Sequence, residues 1–179
     1  MASVLDRTQK QIESTIPKEL KKIYLAIVAN GKKLMWSKET HTTMKEYVKE
    51  GVQTEEDVPG VVAAGMRGIV RMLLDSSKTK PDMNEPFYAA SYPAALVLMC
   101  DALEYVEAAK KIEITNDLLA DTTKETVAQI NTLYGIKKET LDAAMKHTQQ
   151  KQAEHDANPS APVKAGAPKV GAAPIEPEV

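Results

Sequence analysis

Apolar residues in the first part of the chain recur at steps of three and four positions, which is the spacing of one face of an α-helix. This spacing continues without a break through Leu20, Ile23, Tyr24, Ile27, Val28, Gly31, Leu34 and Met35. No part of the chain alternates apolar and polar residues as a half-buried strand does. The sequence therefore predicts an all-α fold.

Start and stop signals divide residues 16–157 into five or six helices, which we expect to form one compact bundle. The signals are a proline in a first helical turn, a capping hydroxyl and a terminal glycine. In chain order they are Ile16-Pro17, Ser37, Gly51, Val58-Pro59, Asn84-Glu85-Pro86, Thr115 or Asn116, and Gly135. A last helix is predicted from about Lys137 to His155, and Gly51 is expected to adopt a left-handed conformation.

The most hydrophobic stretch of the chain lies between Pro93 and Val106, and we predict that it forms the central helix of the bundle. Pro93 is expected either to kink this helix or to restart it. Cys100 lies in this stretch and is the single cysteine of the sequence, so no intramolecular disulfide can form. A buried, unreactive thiol is expected there.

Both ends of the chain are predicted to lie outside the bundle. Residues 1–15 are polar, and we expect a flexible N-terminal segment there, or a short helix at best. Residues 158–179 contain five of the ten prolines and no aromatic residue. Because such a composition offers little apolar surface to bury, a disordered Pro/Ala-rich tail is predicted, which could serve as a linker, a peptide ligand or a solubilising extension.

The balance of charge argues against a strongly basic protein. There are 23 basic and 25 acidic residues, which gives a formal net charge of −2. Residues 1–50 carry a modest basic excess, with ten Lys or Arg against six Asp or Glu. A solvated helix face is favoured over a DNA-binding surface as its explanation, so nucleic-acid binding is not the preferred expectation.

Neither an export signal nor a stable membrane span is expected. Four charged residues among the first 13 interrupt any hydrophobic signal core. The longest apolar run, Phe87–Cys100, has 14 residues and contains Pro93, whereas a helix needs about 20 to cross a bilayer. We therefore expect synthesis and retention in a cytoplasm, which is a reducing compartment.

The sequence shows no arrangement that is typical of catalysis or of a metal site. The histidines are His41, His147 and His155. None of them has a second ligand four residues away, as helical metal sites often do. Because no nucleophile, base and orienting group can be assembled, we expect a protein that is not an enzyme and that has no cofactor.

Three carboxylates on one predicted helix, Asp101, Glu104 and Glu107, are the nearest approach to acid–base chemistry. Lys110 and Lys111 follow Glu107 by three and four positions. Ordinary ion pairing on a helix surface is therefore the favoured interpretation.

Six residues are predicted to contact partners: Gly65, Gly68, Arg67, Arg71, Met35 and Trp36. Each helical glycine lowers helix propensity by about 1 kcal/mol relative to Ala, so the pair suggests that another helix backbone approaches closely. The two arginines, four positions apart, would project together and could clamp a phosphate or a carboxylate. The competing interpretation of the arginines is a solvated stripe.

The segment Thr126–Met145 loosely follows the pattern of a helix-turn-helix, with apolar and turn residues near the expected positions. Asn131 departs from that pattern, because a small residue usually lets the two helices approach there. The second half of the segment offers no cluster of side chains suited to reading base edges. An ordinary helical hairpin is favoured.

Several short motifs share the pattern of one known family. They are Ile16-Pro17-x-Glu19-Leu20, Gly31-Lys32-Lys33-Leu34-Met35-Trp36-Ser37, Thr40-His41-x-x-Met44, and Ala63-Ala64-Gly65-Met66-x-Gly68-Ile69, followed by Pro93 and its apolar helix. In these motifs the chain resembles a helical family of virion structural proteins from tailed bacteriophages. The resemblance covers about half of the chain and implies a part of the phage particle, or of its assembly, in several copies.

The resulting expectation is a non-enzymatic virion structural or assembly protein, made in the host cytoplasm and located in the virion. It would act through helix-mediated contacts with other copies of itself, as a homo-oligomer, and with other virion proteins. Two alternatives remain open at this point. One is the DNA-recognition (small) subunit of the packaging terminase, and the other is a phage effector that binds a host protein.

Overall fold

The computed structural model describes residues 3–37, 44–77 and 86–136 of the chain. Within these ranges 84% of the residues are helical and none forms a strand. The helices are α1 (Val4–Ser14), α2 (Lys21–Trp36), α3 (Met44–Gly51), α4 (Val58–Ser77), α5 (Pro86–Lys110) and α6 (Asn116–Leu133), with a 3₁₀ turn at Glu55–Asp57. The prediction of an all-α fold with five to six helices is confirmed for this part of the chain.

The predicted central helix is confirmed as α5, which packs against α1, α2, α3, α4 and α6. Eleven of its 25 residues are buried, including Leu98, Met99 and Leu103. The helix continues without a break through Pro93. Proline has no N–H to donate to the carbonyl of Ala89, one turn earlier. Because Ala89 is exposed, water can satisfy that carbonyl, and no restart of the helix is needed.

The N-terminal segment is the main correction to the predicted organisation, because residues Val4–Ser14 form a packed helix instead of a flexible segment. Ser3 and Asp6 form a capping box, with N–H···O distances of 3.0 and 3.1 Å, which satisfies two of the free N–H groups at the helix start. Leu5 is buried in the main core. Gln9 Nε2 donates to Asp101 Oδ1 on α5 at 2.8 Å.

Both predicted boundaries of α6 are confirmed, whereas the predicted start of α2 is wrong. Thr115 caps α6 by accepting the N–H of Leu118 at 3.2 Å, and Gly135 follows that helix with a left-handed φ of 71°. Helix α2 begins at Lys21 and not at Pro17. The N–H of Leu20 bonds to the carbonyl of Pro17 at 3.1 Å, so these residues form a tighter turn before the helix starts.

Helix α5 is the one helix in the described ranges that is long and apolar enough to cross a membrane, by length and composition alone. Of its most apolar 18-residue window, 56% is buried inside the protein. The core helix of a water-exposed bundle passes the same criterion, so this property carries little weight in either direction.

Several predicted features lie outside the described residues. They are the polar loop around Pro81, the last helix from Lys137 to His155, the tail 158–179, and the histidines His41, His147 and His155.

Candidate functional site

A groove on the surface brings together four of the six residues predicted to contact partners. It lies between the C-terminal end of α2, helix α3 and the outer side of α4, and has a volume of about 300 Å³. Met35, Gly65, Gly68 and Arg71 line it. We call this feature the docking groove. The other two predicted residues, Arg67 and Trp36, lie elsewhere.

Buried methionines form the floor of the docking groove. Met35 and Met44 are 1% and 2% exposed, and both belong to the main hydrophobic core. A Cβ atom added at Gly65 would lie 2.7 Å from Met44 Cε and 2.9 Å from Met44 Sδ. The absence of a side chain at Gly65 therefore lets Met44 pack against α4. The close neighbour is a side chain and not, as predicted, a helix backbone.

Gly51 makes the second close approach between the same two helices. A Cβ added there would lie 2.8 Å from Val61 Cγ2 on α4. Helix α3 does end at Gly51, as predicted, but among the described glycines only Gly135 has a positive φ. The predicted left-handed conformation of Gly51 is therefore wrong. The close packing of Val61 against Gly51 is the reason that a glycine is required there.

The rim of the docking groove carries two exposed apolar side chains. Tyr47 and Met72, which line the groove, are 40% and 38% exposed. A Cβ added at Gly68 would have no neighbouring atom within 4 Å, so no described residue packs closely against Gly68. The predicted close approach of another helix backbone is therefore not made within the described part of the chain, and a contact between Gly68 and a partner stays a prediction.

The two arginines predicted to act together have different neighbours. Arg67 Nη1 donates to Gln129 Oε1 on α6, at a long distance of 3.5 Å. Arg71 lies on the groove rim, where its Nε is 3.9 Å from Asp75 Oδ2. Both members of this second pair are mostly exposed, at 66% and 74%. An exposed pair at this distance contributes little to stability, so Arg71 and Asp75 remain available to a partner.

Trp36 packs against the main hydrophobic core of its own chain. Its ring packs edge-on against Tyr105 of α5, with 5.4 Å between the ring centroids. Trp36 is only half-buried, but it packs against the main core. It therefore fixes the corner where α2 ends, which is the role that a purely structural interpretation gives to a tryptophan at a helix end.

The three carboxylates on α5 do not form the predicted pairs with the lysines that follow them. Asp101 Oδ2 lies 2.8 Å from Lys32 Nζ of α2, and the same carboxylate accepts the bond from Gln9 of α1. Lys110 donates instead to the backbone carbonyl of Lys49, at 3.0 Å. Asp101 therefore joins three helices, which is a structural role.

Cys100 is buried, as predicted. Burial raises the pKa of its thiol to about 12, and the carboxylates of Asp101 and Glu104 add to the increase. A thiol with such a pKa is almost fully protonated at neutral pH and is a poor nucleophile.

A cluster of tyrosines between α5 and α6 was not predicted from the sequence. The rings of Tyr88 and Tyr134 meet edge-on, with centroids 4.4 Å apart. Tyr92 OH donates to Asn131 Oδ1, and Ser91 Oγ and Tyr134 OH lie 2.9 Å apart. We call these five residues the tyrosine cluster. Burial, followed by the neighbouring Tyr88, raises the pKa of Tyr92 far above its usual range.

The tyrosine cluster explains why Asn131 departs from the helix-turn-helix pattern. Asn131 is 5% exposed, and its side chain bonds across to α5 instead of making room for a following helix. The only advance signal was the spacing of Tyr88 and Tyr92, which places them on one helix face.

Two other concave surfaces occur in the described part of the chain. An apolar groove of about 820 Å³ between α2, α4 and α5 has Lys22 and Lys33 among its lining residues. A cleft of about 730 Å³ is lined by the acidic side chains Glu55, Glu56, Asp117 and Asp121. Neither contains any of the six predicted residues. Within the described ranges, no three His, Cys, Asp or Glu residues are grouped so that they could hold a metal ion.

Comparison of the chain with protein-family models, with curated proteins and with solved structures found no match in any of the three. The resemblance to a virion structural family therefore stays a prediction.

Proposed function

We propose that this protein is a non-enzymatic structural or assembly protein of a tailed-bacteriophage virion, which acts through helix-mediated self-association and contacts with other virion proteins. The proposal combines the sequence resemblance with one surface of the fold. A tail at residues 158–179 that reaches a second component would fit the same role.

The docking groove is the single observation that carries the proposal furthest. Its rim exposes a tyrosine, a methionine and a weakly paired arginine, all on helices α3 and α4 that are packed firmly from below. Aromatic, Met and Arg side chains are the residue types enriched where proteins meet, because they combine a large contact area with polar ends. A partner that covered them would bury apolar surface at little conformational cost.

The surroundings of the candidate catalytic residues also support a structural protein over an enzyme. Of the three carboxylates that the sequence suggested for acid–base chemistry, Asp101 joins three helices. The single cysteine, Cys100, is a buried thiol with a raised pKa. A reactive group must be accessible and must have a pKa suited to its task. The exposed features of the described surface are instead those of a contact surface.

Two measurements test the proposed function. Mass spectrometry of intact, purified phage particles should detect the protein in several copies per particle. Light scattering of the purified protein over a range of concentrations should give a mass above that of one 19.6 kDa chain. A protein that is absent from particles and strictly monomeric at high concentration would contradict the proposal.

Two further binding experiments distinguish the alternative functions, the terminase subunit and the host-binding effector, from the proposed one. Retention on DNA that weakens as salt rises would indicate the terminase subunit, because phosphate contacts are lost to competing ions. In the segment Thr126–Met145, which resembles a helix-turn-helix, Asn131 is bonded to Tyr92 and Gln129 is bonded to Arg67. These bonds leave the segment with fewer free groups for DNA. Capture of one defined host protein, without self-association, would indicate the effector.

A further inference from the structure

We propose that the docking groove is a two-fold self-association surface, in which α4 pairs antiparallel with α4 of a second copy. Arg71 of each copy then lies opposite Asp75 of the other, and Met72 lies near the two-fold axis. The inference rests on the self-association in the proposed function and names the surface that produces it.

Charge is the first argument for a second copy as the occupant of the groove. A two-fold axis brings the same surface patch onto itself, so the patch must be self-complementary. The rim of the groove carries one cation, Arg71, and one anion, Asp75, separated by one helical turn. When two antiparallel helices are centred near position 73, residue 71 of each faces residue 75 of the other. Two reciprocal ion pairs form in this arrangement.

The same two side chains are poorly satisfied within their own chain. Their shortest charged contact is 3.9 Å, and both side chains are mostly in solvent. The order along the helix, with the cation one turn before the anion, is also the weaker orientation, because it opposes the helix dipole. Exchange of this contact for one with a second copy therefore costs little.

Apolar surface and free space provide the second argument. Met72 is 38% exposed and Tyr47 is 40% exposed, and the two-fold axis would bring each Met72 against its counterpart. The space above Gly68 is open, with no atom within 4 Å of an added Cβ. Gly68 lies one turn before Met72 on the same face of α4, so no described residue at that position obstructs the approach of a second helix to this face.

The size of the surface predicts a weak association. We expect one helix pair with its flanking α3 to cover less than the ~1,200 Å² of total buried area that stable interfaces exceed. We expect a dissociation constant of the dimer on the order of tens of micromolar. In a particle that holds several copies, multiple contacts would strengthen this weak association.

Charge reversal tests the proposed geometry directly, with sedimentation velocity as the measurement. Arg71→Asp and Asp75→Arg should each convert two attractive pairs into two repulsive ones and weaken self-association by roughly tenfold or more. An equimolar mixture of the two variants should regain the association, because only the mixed pair restores both contacts. Lys124→Asp, at an exposed position on α6, is the control for the change in net charge.

Each outcome has a defined meaning. Loss in both single variants with recovery in the mixture supports the proposal. If the wild-type protein self-associates and neither variant changes it, the two-fold surface is wrong while the proposed function stands. If each single variant loses self-association and the mixture does not regain it, Arg71 and Asp75 contact some other surface of the second copy, and the two-fold geometry is wrong. A wild-type protein that stays monomeric contradicts both the two-fold surface and the self-association in the proposed function. Because Arg71 and Asp75 are exposed, the variants should fold, and circular dichroism checks this.

Discussion

The tyrosine cluster and the docking groove contain similar side chains in opposite situations. In the cluster, Tyr92 and Tyr134 contact other rings and bond to Asn131 and Ser91. In the groove, Tyr47 and Met72 project from the rim, and Arg71 has one distant partner. The side chains of the tyrosine cluster contact one another and form hydrogen bonds within the chain, whereas the side chains on the groove rim are exposed and weakly paired.

The difference indicates where this protein meets other molecules. A polar or aromatic group that is already paired gains little from a partner, because binding would only exchange one contact for another. A group that is exposed and weakly paired gives up only contacts with water, so it gains more from a partner. Residue type alone therefore does not identify a binding surface, and the degree of internal satisfaction does. Four changes, ordered by their expected effect on folding stability, test this contrast.

The largest effect should come from the packed side. Ile130 is 1% exposed and packs with Val70, Leu74 and Ala95 beside the tyrosine cluster. Ile130→Ala removes buried methylene groups and leaves a cavity, so the free energy of unfolding should fall by about 2–5 kcal/mol. Urea denaturation measures it. A change below about 1 kcal/mol would show that this side is not tightly packed.

The second change removes one hydrogen bond of the tyrosine cluster. Tyr92→Phe leaves the buried Asn131 side chain without a hydrogen-bond partner among the described residues, since its Nδ2 already has none there. Stability should fall by about 1–3 kcal/mol. In the double variant Tyr92→Phe/Asn131→Leu both polar groups are gone, so much of the loss should be recovered. Additive losses in this double-mutant cycle would mean that the two side chains do not interact.

The third test compares two glycines at the docking groove. Gly68→Ala places a methyl group in open space and should raise stability by up to about 1 kcal/mol, because Ala has the higher helix propensity. Gly65→Ala forces the buried Met44 to move, so this variant should be less stable than Gly68→Ala. Thermal unfolding of the pair measures the difference. Equal melting temperatures would contradict the close packing of Met44 on α4.

The smallest effect on folding should come from the exposed groove rim. Met72→Gln and its matched control Leu25→Gln, at a position that is 53% exposed on α2, should each change stability by less than about 0.5 kcal/mol. Light scattering should show weaker self-association for Met72→Gln alone. If Leu25→Gln weakened it equally, general surface hydrophobicity and not the groove would be responsible.

Local signals in the sequence predicted much of the fold, because they depend on neighbouring residues. The apolar stripe of Pro93–Val106 identified α5, and Thr115 and Gly135 marked the ends of α6. Contacts between distant residues could not be predicted in this way. The bonds of Gln9 and Lys32 to Asp101 span more than 60 positions. The Gln9 bond is part of what holds α1 in place, and the Lys32 ion pair joins α2 to α5. The Ser3 capping box was the missed local signal.

The docking groove was predictable only in part. Helical spacing alone makes Gly65, Gly68 and Arg71 neighbours on α4, but nothing in a single sequence places Met35 of α2 beside them. Tyr47 was not identified from the sequence as a residue of this surface. Its 40% exposure depends on how that short helix is rotated against α4, and the rotation is determined by the packing of Gly51 and Gly65.

Disulfide cross-linking of Met72→Cys tests the central claim most directly. The natural Cys100 is buried, so the introduced thiol is the accessible one among the described residues. If α4 pairs antiparallel about an axis near Met72, mild oxidation should convert this variant rapidly to a covalent dimer on a non-reducing gel. Leu25→Cys should remain monomeric under the same conditions. Equal rates for the two variants, or faster cross-linking through Leu25→Cys, would contradict the account.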